Sequence, residues 1–205
     1  MPGMPKKQRG VRAPEVIRLN GRPFELSEWI ESEMSGAMGP VGNKEVFKNS
    51  DFIFMIVKGP NARNDYHIDP YDEVFYQLKG TVQVGLIGED GKPYTVEIRP
   101  GGVLLVSANT PHSPRRPPDT LGLVVERPRV AGEEDGIVWY CEQCGEKLHE
   151  TTIQCSDIET QLKAALDAFN ADFALRTCKA CGAVLPDPNV SPPGSDSTAP
   201  QTEQA

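Results

Sequence analysis

Two histidines and one glutamate occur in a pattern that suits a metal site with open coordination positions. His67 and Glu73 lie in the stretch R-N-D-Y-H-I-D-P-Y-D-E-V-F-Y-Q-L-K-G, and His112 follows in P-H-S-P-R-R after a P-G-G turn. Two imidazoles and a carboxylate are the ligands that non-haem Fe(II) oxygenases use, because they leave coordination positions free. The sequence therefore predicts an Fe(II) site with room for both a substrate and O2.

Each of these residues also has a purely structural interpretation. Either histidine could be a partly buried residue that makes one hydrogen bond, and Glu73 could be an ordinary exposed strand residue. However, Glu73 opens the apolar run E-V-F-Y-Q-L, in which alternation places Phe75 on the same face. Together with Gly80 and the P-G-G turn, the three residues favour the metal site.

The arrangement H-x5-E-x6-G, followed by P-G-G and P-H, resembles the two motifs of the cupin superfamily of small β-barrels. Asp69 stands where many cupins have a second histidine, so the ligand set becomes His, Glu and His. With V-V-E-R-P-R at residues 124–129, the sequence is similar to the 3-hydroxyanthranilate 3,4-dioxygenase family, in the form with a C-terminal rubredoxin-like metal site. The resemblance covers roughly residues 26–186.

This resemblance implies an Fe(II)-dependent enzyme that uses O2 to open the ring of 3-hydroxyanthranilate. The product would be 2-amino-3-carboxymuconate 6-semialdehyde, the precursor of quinolinate on the route from tryptophan to NAD. Two other functions stay open on the residues alone. The chain could be a cupin dioxygenase for another hydroxylated aromatic carboxylate, or a metal-binding cupin without turnover, such as a sensor or storage protein.

Four further residues are candidates for substrate binding and proton transfer. Arg63 and Arg116 each lie four positions from a metal ligand, and a guanidinium offers paired donors that match a carboxylate. The resemblance implies the same role for both, and it implies that Glu126 contacts the amino or hydroxyl group of the ring. Asp65 could orient an imidazole or assist proton transfer. The simpler alternatives are that Arg116 is a solvated loop residue, Glu126 the partner of a following arginine and Asp65 a turn residue.

Four of the five cysteines form two C-x2-C pairs, each followed by a glycine. The pairs are Cys141 with Cys144 and Cys178 with Cys181. Four thiolates make a closed tetrahedral shell for Fe or Zn, so we expect this site to be structural or redox-accessory. Metal ligation in a reducing compartment fits these pairs better than disulfides, and the fifth cysteine, Cys155, is expected to be a free thiol.

The elements that must position these residues are mainly short strands. Apolar runs separated by turns predict a mainly β fold, a single jelly-roll cupin barrel with a few helices. The dipeptide Asp90-Gly91 indicates a hairpin. Besides the run that begins at Glu73, the expected strands are 51–58, 81–87, 94–98, 103–106 and 121–125.

Two helices are expected beside the barrel. The first, over residues 26–34, places Leu26, Trp29 and Ile30 on one face. The second opens at the capping-box sequence S-D-I-E and carries an apolar stripe that should pack on the barrel or on a second subunit. The stripe consists of Ile158, Leu162, Ala165, Leu166, Phe169 and Phe173.

Composition limits the range of partners. The 205 residues include 29 Asp and Glu against 21 Lys and Arg, for a net charge of −8. This balance argues against non-specific nucleic-acid binding, which needs Lys and Arg to neutralise phosphates. No apolar run approaches the about 18 residues of a membrane span, and no signal core opens the chain, so we expect no membrane contact and a cytoplasmic location.

We divide the chain into four parts. They are a flexible extension (1–14), a cupin barrel (15–135), a rubredoxin-like metal segment with a helix (136–186) and a disordered tail (187–205). The extension is basic and the tail is rich in Pro, Ser and Thr, so neither can support a hydrophobic core. We expect a homodimer, and we expect His149, the third histidine, to be a surface residue.

Overall fold

The computed structural model describes residues 23–35, 42–48, 50–61, 63–154 and 160–189. The basic extension, the capping box at 156–159 with Ile158, the fifth cysteine Cys155 and the tail beyond residue 189 lie outside this part. Within it, no helix combines the length and the apolar character needed to cross a membrane.

Short strands dominate the described residues, as the alternation of apolar runs and turns predicts. They are β1 Gly42–Glu45, β2 Ile53–Lys58, β3 Tyr66–Ile68, β4 Glu73–Lys79, β5 Val82–Ile87, β6 Pro93–Ile98, β7 Val103–Val106, β8 His112–Arg115, β9 Leu121–Glu126, β10 Asp135–Tyr140 and β11 Lys147–Ile153. A five-stranded sheet has the order β1-β2-β9-β4-β7, and a six-stranded sheet has the order β11-β10-β3-β8-β5-β6. The pairings are antiparallel, which confirms the predicted mainly β architecture.

Strand register brings the three candidate metal ligands together from both sheets. In the second sheet, β3 pairs with β8 at His67 and His112. In the first sheet, β4 alternates between buried and exposed side chains, with Glu73, Phe75 and Gln77 on the buried face. Since side chains two positions apart share a face, Glu73 points into the same interior as the apolar core.

The core between the sheets consists of apolar side chains from six strands. At the end of β4, Gly80 has φ +65°, and a Cβ there would lie 2.8 Å from Thr120 Cγ2. Glycine is therefore required at this turn both for its backbone conformation and for space. The buried core residues are Met55, Phe75, Val82, Val84, Leu86, Ile98, Val106 and Val124.

The first predicted helix is present as α1, Leu26–Glu33. Its Trp29 is buried against Ile56 and Val46, while Leu26 and Ile30 are partly buried in the same cluster. The apolar face predicted from the sequence therefore packs against the first sheet.

The C-terminal segment continues the second sheet and then folds over it. The boundary set at residues 135 and 136 falls inside β10, which pairs with both β3 and β11. Two helices follow, α2 Gln161–Ala171 and α3 Phe173–Arg176. They cover a second apolar cluster formed by Ile137, Trp139, Leu162, Leu166, Phe169 and Leu185.

Two expectations about this segment are wrong. Phe173 does not continue the apolar stripe, and its side chain is 63% exposed. The reason is that α2 ends at Ala171 and a new helix, α3, begins at Phe173. The Asp172 carboxylate caps α3 by accepting hydrogen bonds from backbone N–H groups. His149 is not a free surface residue. It is half-buried, with its ring centroid 5.7 Å from that of Trp139.

Candidate active site

His67, Glu73 and His112 converge in the interior between the two sheets. His112 Nε2 lies 3.1 Å from Glu73 Oε1, and His67 Nδ1 lies 3.5 Å from the same oxygen. One ligand atom from each residue lies within 4.8 Å of the others, and all three side chains are buried. This spacing allows one metal ion to contact all three residues.

The second nitrogen of each imidazole has its own partner. His112 Nδ1 lies 2.9 Å from the carbonyl oxygen of Thr110, and His67 Nε2 lies 2.7 Å from Asp135 Oδ2. Metal-binding histidines usually have such a contact, since it fixes the ring and the tautomer. Asp135 was missed from the sequence, where it belongs to the polar stretch E-E-D-G. Only the pairing of β10 with β3 brings it to His67.

Asp65, expected to orient an imidazole, binds an arginine instead. Its two carboxylate oxygens accept hydrogen bonds from Arg63 Nε at 2.9 Å and Nη2 at 2.5 Å. Asp65 is fully buried behind Arg63, and the orienting contact that we predicted for it is made by Asp135.

The site carries a negative charge that suits a cation. Burial opposes protonation of His67, but the hydrogen bond to Asp135 and the nearby Glu73 carboxylate outweigh it and raise the pKa of His67 to about 10. Burial also opposes ionisation of Glu73, yet the two histidines hold its pKa well below its usual range. Glu73 Oε1 is buried and makes no hydrogen bond of good geometry. A metal ion at this position would supply the positive charge that the Glu73 carboxylate requires.

Three other buried carboxylates near the site share one arginine as a partner. Arg129 forms ion pairs with Asp69 at 2.8 Å, with Glu126 at 3.0 Å and with Asp135 at 2.6 Å. Asp69, which replaces the second histidine of many cupins, thus pairs with Arg129. Among the described residues, Glu73 forms ion pairs only with the two histidines.

Arg116 is a buried cation without a carboxylate partner among the described residues. It is 3% exposed, its Nη1 donates to Gln77 Oε1 at 3.1 Å, and its Nε has no hydrogen-bond partner. Burial, assisted by repulsion from Arg63, lowers the pKa of Arg116 to about 10. The alternative of a solvated loop arginine is therefore wrong, and the position suits an anionic ligand.

Gly122 provides the space that the Arg116 guanidinium occupies. A Cβ at residue 122 would lie 2.5 Å from Arg116 Nη1 and 2.9 Å from Gln77 Oε1. Contacts this short require the guanidinium to move. The sequence L-G-L-V-V does not predict that Gly122 leaves space for Arg116, because it indicates only a strand.

A pocket joins the metal-ligand set to both arginines. It is lined by His67, Glu73, His112, Arg63, Arg116, Glu126 and Asn61, and by the apolar residues Met55, Val57, Phe75, Pro114, Val124 and Leu162. Every predicted site residue of the barrel except Asp65 lines this pocket. Leu162 was missed because it comes from α2, in the cysteine-containing segment.

Glu126 lies in this pocket, and its carboxyl group is a weaker acid than an exposed glutamate. Burial and the negative charge of Glu73 raise its pKa well above its usual range, although Arg129 opposes the shift. Both sequence alternatives for Glu126 are visible: it faces the pocket and it also contacts Arg129 Nη1.

The four predicted cysteines form a second cluster. Cys141 and Cys181 have their sulfurs 3.6 Å apart, as do Cys144 and Cys178, and all four sulfurs lie within 4.8 Å of one another. A tetrahedral ion with bonds of about 2.3 Å would place its sulfurs about 3.8 Å apart, so the cluster fits such an ion.

The two cysteine pairs have the same backbone arrangement. Gly145 N donates to the carbonyl of Cys141, and Gly182 N donates in the same way to Cys178. Both glycines have φ +77° and open space where a Cβ would be. Glycine is therefore favoured at both positions by its backbone conformation and not by a lack of space for a side chain.

A family model and two named relatives agree on what this chain is similar to. A family model described as 3-hydroxyanthranilic acid dioxygenase matches residues 18–170. A protein of Bacillus thuringiensis named 3-hydroxyanthranilate 3,4-dioxygenase is 44% identical over 80% of this chain and 92% of its own length. A protein of the same name from Neurospora crassa is 42% identical over 82% of this chain and 97% of its own length. A solved cupin-2 domain protein from Shewanella frigidimarina has a TM-score of 0.42 and 16% identity, covering 53% of this chain and 98% of that one.

Proposed function

The chain belongs to the 3-hydroxyanthranilic acid dioxygenase family, and we propose that it opens the ring of 3-hydroxyanthranilate with O2. The carbon–carbon bond between the hydroxyl-bearing carbon and its unsubstituted neighbour breaks, and both oxygen atoms enter the product. The product, 2-amino-3-carboxymuconate 6-semialdehyde, contains all the atoms of the two reactants, so no further reductant is needed.

One observation carries this proposal: a single pocket contains a group of side chains that suits a cation and, beside it, a group that suits an anion. Glu73 and the two imidazoles can together bind a metal ion. Arg116 has no carboxylate partner among the described residues, so it can bind an anionic group. An aromatic carboxylate that also reaches a metal would satisfy both. Leaving either charge unpaired among buried side chains is costly, which favours a ligand that carries the matching groups.

Fe(II) is the metal that we propose for His67, Glu73 and His112. Two imidazoles and one carboxylate suit this ion and leave positions open. When bound there, iron would supply the activation of O2 that an aromatic ring alone lacks. Asp135 and the carbonyl of Thr110 would hold the two imidazoles in orientation.

The remaining residues of the pocket would bind the substrate and exclude water. Arg116 donates paired hydrogen bonds to the substrate carboxylate, and Arg63, already held by Asp65, lies beside it. Burial raises the pKa of Glu126, so its ionised carboxylate is a stronger base than a solvated one, and it takes a proton from the ring hydroxyl or binds the amino group. Phe75 and the other apolar residues of the pocket keep water out.

The four-cysteine site would hold Fe or Zn as a structural ion. Four thiolates complete a tetrahedral shell and offer no position to a substrate. Such a site adds folding free energy to the segment around it. It also requires reduced thiols, which is consistent with the expected cytoplasmic location.

We also propose that the chain forms a homodimer. On the exposed face of the first sheet, Val74 pairs with Leu105 and Tyr76 with Val103 across β4 and β7. Val103 and Leu105 are 65% and 56% exposed. Contiguous apolar side chains of this kind often mark an interface. Light scattering of the wild type and of Leu105→Lys tests this: we expect a dimer that the charge weakens, and a wild-type monomer would overturn the proposal.

Turnover with a substrate panel tests the proposed function. The protein is loaded anaerobically with Fe(II), mixed with O2 and either 3-hydroxyanthranilate, 2-aminophenol or a catechol carboxylate, and followed by O2 uptake and near-ultraviolet absorption. We expect the highest kcat/KM for 3-hydroxyanthranilate, with one O2 consumed per substrate. A higher kcat/KM for a catechol carboxylate would assign a different substrate, and iron binding without any turnover would indicate a non-catalytic cupin.

A further inference from the structure

The segment that carries Arg63 is attached to a part of the chain outside the barrel core. Residues 63–65 precede β3, so the strand ladder does not hold them. Arg63 and Asp65 bind each other across the intervening residue, Asn64. This pair fixes the two side chains relative to each other, but it does not fix the segment relative to the rest of the protein.

Asn64 makes that second attachment. Its Nδ2 donates to Asn170 Oδ1 at 2.9 Å and to the carbonyl of Pro186 at 3.0 Å. Its Oδ1 accepts a hydrogen bond from Trp139 Nε1 at 3.1 Å. Both amide hydrogens and the amide oxygen of Asn64 thus have partners, and they come from α2, from the chain after the second cysteine pair and from β10.

These partners depend on the segment folded around the four cysteines. Trp139 and Leu185 belong to one apolar cluster, and Leu185 N donates to the carbonyl of Arg176 at 2.9 Å. Residues 183–186 follow Cys181 after one glycine, and Cys178 N donates to the carbonyl of Ala183 at 2.8 Å. The Pro186 carbonyl therefore follows a turn that backbone hydrogen bonds hold to Cys178 and Arg176.

We propose that Asn64 is a positioning residue that holds Arg63 in place for the substrate carboxylate by anchoring it to the cysteine-containing segment. The inference rests on the proposed function, in which Arg63 lies beside that carboxylate. Through this anchoring, the four-cysteine site would influence substrate affinity although it takes no part in the chemistry. A misplacement of about 1 Å at such a group is enough to change binding or rate markedly.

Anaerobic equilibrium binding to the iron-loaded protein tests this proposal. Asn64→Ala should weaken the binding of 3-hydroxyanthranilate about tenfold, the effect of losing well-placed hydrogen bonds at one site. The binding of 2-aminophenol, which lacks the carboxylate, should change less than about twofold, because the metal site is untouched. KM for 3-hydroxyanthranilate should rise while kcat at saturation stays close to that of the wild type. Asn64→Asp keeps the acceptor for Trp139 but places a carboxylate oxygen against the oxygens of Asn170 and Pro186, so its selective loss should be at least as large as that of Asn64→Ala.

Two further variants separate positioning from loss of stability. Asn170→Ala removes one acceptor of Asn64 and should show the same selectivity with a smaller loss. Asp172→Ala removes the cap of α3 in the same segment without touching Asn64, and it should lower Tm while leaving the ratio of the two affinities unchanged.

The outcomes distinguish this proposal from the function on which it rests. Equal losses for the two ligands in Asn64→Ala, or no loss for either, would overturn the positioning role. A selective loss in Asp172→Ala as large as that in Asn64→Ala would do the same, since it would attribute the effect to general loosening. A wild-type protein that binds neither ligand would overturn the proposed function, and the positioning role with it.

Discussion

Removal of the Arg116 guanidinium should weaken the recognition of a carboxylate far more than the recognition of the ring. Arg116 is 3% exposed, and among the described residues it has no acidic partner. A desolvated charge pair that loses one member typically loses about 2 to 4 kcal/mol. For Arg116→Ala this corresponds to a loss of about 30-fold to about 700-fold in kcat/KM for 3-hydroxyanthranilate.

The comparison with 2-aminophenol isolates the carboxylate contribution. This substrate keeps the adjacent amino and hydroxyl groups but has no carboxylate, so Arg116→Ala should change its kcat/KM by less than about threefold. Arg116→Lys should recover only part of the loss, because an ammonium cannot reproduce the paired donors of a guanidinium. The four kcat/KM values form a double cycle in which general damage to the site cancels.

Two matched variants sharpen this test. Arg115 precedes Arg116 but is exposed, so Arg115→Ala should leave both substrates nearly unaffected. Gly122→Ala keeps the guanidinium but places a methyl group where it lies, so it should reproduce the selective loss. Equal losses for the two substrates in Arg116→Ala would refute the reasoning, because they would show that Arg116 supports the metal site or its loop.

The other predictions concern the two metal sites. Changing His67, Glu73 or His112 to Ala should abolish turnover and barrel iron while circular dichroism stays close to wild type; full turnover in any of the three would contradict the ligand set. Cys141→Ser with Cys178→Ser should remove one metal equivalent and loosen the C-terminal segment, yet leave measurable turnover; a soluble, iron-loaded double variant with no activity would place the cysteines in catalysis. In metal-free protein, the His67 imidazolium should stabilise the fold fully below about pH 6.5, and this contribution should fade as the pH rises through about 10. Thermal melts of wild type and His67→Gln measure it, and identical pH profiles would show that His67 makes no such contribution.

Local patterns explain why the strands could be predicted. Alternation along β4 places Glu73 on the buried face with Phe75, and the hairpin at Asp90-Gly91 joins β5 to β6. Residue type and spacing also sufficed to select His67 and His112 as a pair. The signals around each strand, turn and histidine lie within a few residues of one another, so they can be recognised without knowledge of the fold.

The residues that were missed become close to the site only through pairing of distant segments. Asp135 reaches His67 because β10 pairs with β3, and Asn64 reaches Asn170 across 106 positions. The burial of Arg116 also depends on a distant position, since Gly122 leaves the space that it fills. No local propensity distinguishes Arg116 from the exposed Arg115 beside it.

An anaerobic crystal structure of the protein with Fe(II) and 3-hydroxyanthranilate tests the central claim most directly. We expect iron within ligand distance of His67, Glu73 and His112, with the substrate carboxylate against the guanidinium of Arg116. Iron found only between the four cysteines, or a substrate carboxylate placed away from both Arg116 and Arg63, would contradict the assignment of the catalytic site.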